Sequence, residues 1–165
     1  MRTVAVDPGK WACGVAVFDS ETLTDAWLSI RAKDQDWPVM VGNVIRRTSV
    51  LMTSALILEL QKAYAGGKQE ADPADLIQLA MIVGGFYYAG SASSNNRVLG
   101  YFPYEWKRQL NKEQIIERVK SRLAPGELSK AELTGAKTKD HNIWEAIGLG
   151  LFHLGRFSPK RVIAR

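Results

Sequence analysis

The chain has 165 residues, 46% of them apolar and 24% charged, with a formal net charge of +5. That length suits a single domain over residues 1–165 with a core of its own, and the composition excludes collagen-like, low-complexity and disordered chains. One cysteine, Cys13, excludes an internal disulfide and a cysteine-based zinc cluster, which fits a reducing cytoplasm.

An acid at Asp7 arrives too early for a signal peptide. The longest apolar run, Leu76 to Gly90, is broken by Gln78, Gly84 and Gly85, too short and too polar to span a bilayer. No membrane partner is therefore expected. The charge is uneven: residues 1–59 carry six Lys/Arg against seven Asp/Glu, residues 97–139 ten against five, and the tail adds Arg156, Lys160, Arg161 and Arg165. Such asymmetry suits a polyanionic partner, since each cation near a phosphate releases condensed counterions; a solvated basic surface is the alternative.

In chain order, Thr3–Val6 is a β-branched run stopped by the turn signal Asp7-Pro8-Gly9. Gly14–Phe18 and Thr24–Ile30 read as two further strands, so the chain opens with an antiparallel meander. Asp36-Trp37-Pro38 signals a helix start, and the helix runs to about residue 50 with Val41, Val44, Ile45 and Leu51 on its apolar side. Ala55–Leu60 has the profile of a strand buried on both faces. A polar, glycine-containing loop follows, and Asp72-Pro73 opens a helix over 73–90. Arg97–Tyr101 is a fifth strand, followed by a helical turn at 103–107 and an amphipathic helix at Lys112–Leu123. The last helix is expected from about His141 to Gly155, capped by Asp140.

Three strands, then strand–helix crossovers, give an α/β fold: a mixed five-stranded sheet, three antiparallel strands then two parallel, flanked by helices. That is the architecture of the RNase H-like fold. Many functions share it, so the site must carry the functional argument.

Three carboxylates stand where burial would normally forbid them. Asp7 ends the first strand, Glu59 ends the buried fourth, and Glu145 interrupts the apolar last helix. Buried acids are paired, protonated or metal-bound. If strands one and four are parallel neighbours, Asp7 and Glu59 meet at one end of the sheet, where a crossing helix can supply Glu145. Such a cluster suits Mg²⁺, and two ions about 4 Å apart can hydrolyse a phosphodiester. Each acid alone has a plain alternative, a turn former at Asp7 and solvated positions for the other two.

Val4-Ala5-Val6-Asp7-Pro8-Gly9 with Gly14-Val15-Ala16, Leu56-Ile57-Leu58-Glu59, Tyr101-Phe102-Pro103 with Lys107, Lys112-Glu113-Gln114-Ile115, and Asp140-His141-Asn142 with Glu145-Ala146-Ile147 together resemble the RuvC-like Holliday-junction resolvases. The matches run in order over nearly the whole chain. The resemblance implies a homodimeric nuclease of a bacterial or phage-infected cytoplasm that nicks branched DNA with two Mg²⁺ or Mn²⁺ ions per site. Carried over by position, Asp7, Glu59, Asn142 and Glu145 would be catalytic metal ligands, with Asp140 or His141 as substitutes. Lys107 and Lys112 would lie near DNA phosphate, and Lys62, Tyr64 and Lys68 in a loop approaching the junction centre.

Two departures stand out. The interval from Lys107 to Lys112 lacks the glycine-rich insertion common in the bacterial cellular enzymes, and Asn142 stands where the family generally has an acid or histidine. They point to a divergent, phage-type relative or to an inactivating substitution. Three functions remain open: junction resolution, cleavage of RNA or flap and fork DNA, and junction binding without cleavage. A sugar-kinase or actin-like ATPase also begins with Asp-x-Gly but needs two such domains.

Overall fold

The computed structural model describes residues 1–49, 53–61, 72–92 and 95–157. Lys62, Tyr64, Lys68 and Leu51 lie outside these residues. Five strands, β1 (Arg2–Asp7), β2 (Ala12–Asp19), β3 (Thr22–Ile30), β4 (Ala55–Glu59) and β5 (Arg97–Tyr101), form one sheet in the order β3-β2-β1-β4-β5. The first three pair antiparallel, whereas β4 joins β1 and β5 joins β4 in parallel. The expected sheet is the observed one.

Side-chain alternation along the strands divides the core in two. Ala5, Ala55 and Ile57 face one layer with Ile143, Ala146, Ile147 and Leu149 of α6 (Lys137–His153) and Ile115 and Val119 of α4 (Lys112–Lys120). Val4, Val6, Leu56 and Leu58 face the other, against Met40, Val41 and Val44 of α1 (Trp37–Thr48) and Ile82 and Phe86 of α2 (Pro73–Ser91). Burial on both faces is why β1 and β4 read as continuous apolar runs. The outermost strand β5 is more exposed. The other edge, β3, is partly covered by residues 130–132, where Ala26 NH donates to Lys130 O and Glu132 NH to Ala26 O.

The helix starts follow local chemistry. Asp72 accepts from Ala74 NH ahead of Pro73 at α2. At α4, Asn111 accepts from Gln114 NH while the Gln114 side chain accepts from Asn111 NH, a reciprocal cap. Asp36 occupies the expected cap position of α1, without a capping bond from its side chain. Residues 125–128 form the short helix α5, which Pro125 can open because its missing N–H would be unpaired in a first turn anyway. The expected start of the last helix needs correction: it begins at Lys137, so Asp140 lies inside its first turn instead of capping it. A further short helix, α3 (Pro103–Trp106), follows β5 directly. Among the described residues no helix is long and apolar enough to cross a membrane.

Candidate metal centre

Strand geometry alone brings two of the acids together. Val6 is level with Leu58 in the parallel β1–β4 pair, so one step further Asp7 and Glu59 leave the sheet at the same end. By alternation both share the face of Ala5 and Ile57, the face covered by α6. On that helix Glu145 comes within reach because α6 sits hard against the sheet. Gly14, paired with Asp7 across the β1–β2 hairpin, is the reason: a Cβ there would lie 1.9 Å from the Asn142 carbonyl oxygen.

The result is a cluster in which Asp7, Glu59 and Glu145 each offer a carboxylate oxygen, all within 4.8 Å of one another. The three residues are 6%, 3% and 8% exposed. Lys107 enters the cluster from the turn after α3, its Nζ 3.0 Å from the Glu59 carboxylate and 2.7 Å from Glu145 Oε2. The neighbouring Trp106 donates its indole N–H to Glu59 Oε2 at 3.0 Å.

Burial dominates the electrostatics. It raises the Asp7 carboxyl well above the usual range, helped by the charges of Glu59 and Glu145 and by a hydrogen bond with Glu145, while Lys107 opposes. Burial also raises Glu59 against the pull of Lys107. At Lys107 burial disfavours the ammonium, yet Glu59, Asp7 and Glu145 outweigh it and hold the proton on. With every acid ionised, three carboxylates face one ammonium, which leaves two formal negative charges in a nearly dry site.

That donor set fits a hard divalent cation, which takes oxygen ligands. The ammonium bridging Glu59 and Glu145 already marks a point where the site accommodates positive charge. Lys107, expected near DNA phosphate, is held among the acids with its side chain 14% exposed. Sequence reasoning missed this role and that of Trp106. Both depend on the parallel β4–β5 register, which sets Tyr101 beside Glu59 and the following turn above the site.

The other expected residues make contacts of their own. Asp140 accepts from Thr134 NH at 2.8 Å, Thr134 Oγ1 at 2.6 Å and Gly135 NH at 3.0 Å. Burial would raise its pKa, but these bonds outweigh it and lower it. Neither Asp140 nor His141 joins the three acids. Asn142 donates its amide to Ala12 O at 3.3 Å, which commits the nitrogen to the hairpin and leaves only a neutral carbonyl oxygen for a cation. Lys112 is exposed at the start of α4.

No family model and no curated relative matches the chain. Solved structures do. Thermus thermophilus RuvC in complex with a Holliday junction substrate aligns with a TM-score of 0.62 and 20% identity over 93% of this chain and 92% of that one. Fowlpox virus resolvase, solved with its substrate Holliday junction DNA, gives 0.53 and 22% over 94% and 97%. The yeast mitochondrial Holliday junction resolvase Ydc2 gives 0.58 and 12% over 94% and 78%. The chain thus has an RNase H-like α/β fold. Within that class, its fold is the one shared by these three resolvases.

Proposed function

We propose that the protein is a divalent-metal-dependent endodeoxyribonuclease that resolves four-way junctions or other branched DNA. The observation that carries this reading is the buried triad of Asp7, Glu59 and Glu145 at the end of the parallel strands, with charge left over for a divalent ion. Alignment of 93–94% of this chain with three junction resolvases supports the choice of DNA as substrate.

Asp7, Glu59 and Glu145 would hold Mg²⁺ or Mn²⁺, with Asn142 contributing at most a carbonyl oxygen. Bound there, one or two ions would supply Lewis-acid stabilisation of a reacting phosphodiester and a nucleophile at neutral pH. Lys107 keeps Glu59 and Glu145 in register and offers positive charge beside the reacting phosphate. Trp106 fixes Glu59 through its indole N–H. Lys112, Lys62 and Lys68 would hold flanking phosphates, and Tyr64 would stack near the junction centre.

Paired nicks need two sites related by a twofold axis, which a homodimer provides. Ile77, Met81, Gly84 and Tyr88 form one exposed stripe along α2, opposite Ile82 and Phe86 in the core. That stripe supports α2 as the dimer interface.

A nicking assay on a synthetic four-way junction, with matched duplex, flap and RNA substrates, tests the reading in Mg²⁺, Mn²⁺ and EDTA. Junction nicking in Mg²⁺ or Mn²⁺ but not EDTA is expected. Preference for flap DNA or RNA would replace the substrate, and metal-independent junction binding with no cleavage would replace the activity.

A further inference from the structure

A groove of about 620 Å³ opens beside the triad, between the β1–β2 hairpin, the segment after β3 and the first turn of α6. It begins two residues beyond Asp7, at Gly9, and is floored by Asn142, one helical turn before Glu145. Among its lining residues are Lys10, Arg31, Lys33, Lys139 and His141, and none is an acid. Lys10 pairs with Asp75 of α2. Lys33 and Lys139 are exposed and have no ion-pair partner among the described residues.

Trp11 stands at the tip of the hairpin, 53% exposed. The Arg31 guanidinium lies 4.0 Å from the ring centroid, and Arg31 Nε is buried without a hydrogen-bond partner. Among the described residues no carboxylate pairs with this arginine, and the indole face is what holds it. A backbone bond from Arg31 NH to Trp11 O, 2.8 Å, braces the two residues. The large flat ring is backed by a cation, still half open, and set in a groove whose lining holds lysines and no acid. Aromatic side chains in positively charged grooves bind unpaired nucleotides in this way, because every base has a stacking face while the cations follow the backbone.

We infer that this groove is a nucleotide subsite in which Trp11 stacks on an unpaired base of the DNA strand entering the triad, with Lys33 and Lys139 on its phosphates. The inference rests on the proposed reading of the triad as a DNA-cleaving site, and it assigns DNA contact to residues outside the loop after Glu59. It explains why an indole is kept in water next to the acids: it selects strands with a base free to leave its stack.

The test measures binding of the full chain, in EDTA, to a four-way junction carrying a short unpaired thymidine tract at the crossover and to a linear duplex of the same charge. Trp11→Ala should weaken binding to the first by roughly 10-fold to 100-fold and leave the second unchanged. Trp11→Tyr should restore most of the loss. Lys33→Gln combined with Lys139→Gln should weaken both and reduce the salt dependence by about two charges. The unpaired tract should quench tryptophan fluorescence in the wild type and much less in Trp11→Tyr, since Trp27, Trp106 and Trp144 are buried and Trp37 packs partly buried against the core layer of α1 and α2. Equal losses on both DNAs, or a lower melting temperature with binding intact, would mean that Trp11 only clamps the hairpin and would overturn the inference. Nicking of a fully paired junction by the wild type reports separately on the triad. A protein that nicks while ignoring Trp11→Ala sinks the subsite alone, and one that grips unpaired DNA through Trp11 without nicking sinks the nuclease reading alone.

Discussion

An ionised Asp7 works against the metal-free fold. Because burial and its acidic neighbours raise its carboxyl, the native state holds that proton more tightly than the unfolded chain does. Metal-free stability therefore falls as pH climbs from the ordinary carboxylate range through the raised one, and recovers as pH drops. Asp7→Asn should raise the melting temperature in EDTA at neutral pH and flatten that dependence. It should also cut nicking by roughly a thousandfold or more while sparing junction binding, since lysines and arginines hold phosphate. Normal nicking by this variant would remove Asp7 from the site. Asn142 poses the opposite question. It lies one turn before Glu145, so Asn142→Asp adds charge to the same helix face and should lower the Mg²⁺ concentration needed and speed nicking. Asp140→Asn, by contrast, loosens the bonds to Thr134 and Gly135 and should cost about 1–3 kcal/mol of stability with the Mg²⁺ requirement unmoved. A Mg²⁺ series on both variants separates ligand from support: an unresponsive Asn142→Asp excludes that residue, and a shifted Mg²⁺ requirement in Asp140→Asn would place Asp140 back among the ligands.

At the level of elements, the contact between α6 and β2 decides whether the third acid arrives. Gly14→Ala would drive a methyl group into the Asn142 carbonyl, and α6 would have to lift off the sheet beside Asp7. A loss of roughly 1–3 kcal/mol is expected from such overpacking. Nicking should fall further than stability does, because Glu145 moves with the helix. Equal activity at reduced melting temperature would show that the helix position is not limiting. The strands and their end-of-run acids were legible in the sequence, since a two-sided apolar run ending in a carboxylate is a local pattern. The start of α6 was not: Ala136 offers no side-chain cap, and Lys137-Thr138-Lys139 looks like loop, so Asp140 reads as the cap. Trp106 and Lys107 escaped for a different reason, as their approach to Glu59 spans 47 and 48 residues and depends on strand pairing.

Across the whole molecule, one part-buried ion pair fastens the far side of the fold. Arg156, just past α6, meets Glu127 of α5 through two bonds of 2.8 and 2.7 Å, and Glu127 also accepts from Leu23 NH of β3. Hydrogen bonding from Arg156 leads the causes that lower the Glu127 carboxyl from 4.5 to about 2. A depressed acid stabilises the fold above its unfolded pKa and loses that contribution as pH falls through the native value. The window here is therefore pH 4.5 down to about 2. Denaturation at pH 7 and pH 2 should show roughly 2–3 kcal/mol of acid-sensitive stability that Glu127→Gln lacks. A variant with the wild-type acid profile would discount the pair. Assembly belongs to the same scale. Met81→Glu with Tyr88→Glu places charge on the exposed stripe of α2 and should shift sedimentation to the monomer, with paired nicks decaying into single ones. A wild type that sediments as a monomer yet cuts both strands would dispose of the dimer.

The β1–β4 register gives the site a parity. Successive side chains on a strand take opposite faces, so Glu59 shares the α6 face with Asp7 only while the count of residues along β4 from its pairing with β1 is preserved. Deleting one residue between Ala55 and Leu58 would turn the carboxylate toward Met40 and Ile82, into a core with no cation among its members. Substitutions at these positions erode the site by degrees, whereas a one-residue change in length switches it off at once. Natural length variation in descendants of this chain should therefore fall outside β1 and β4.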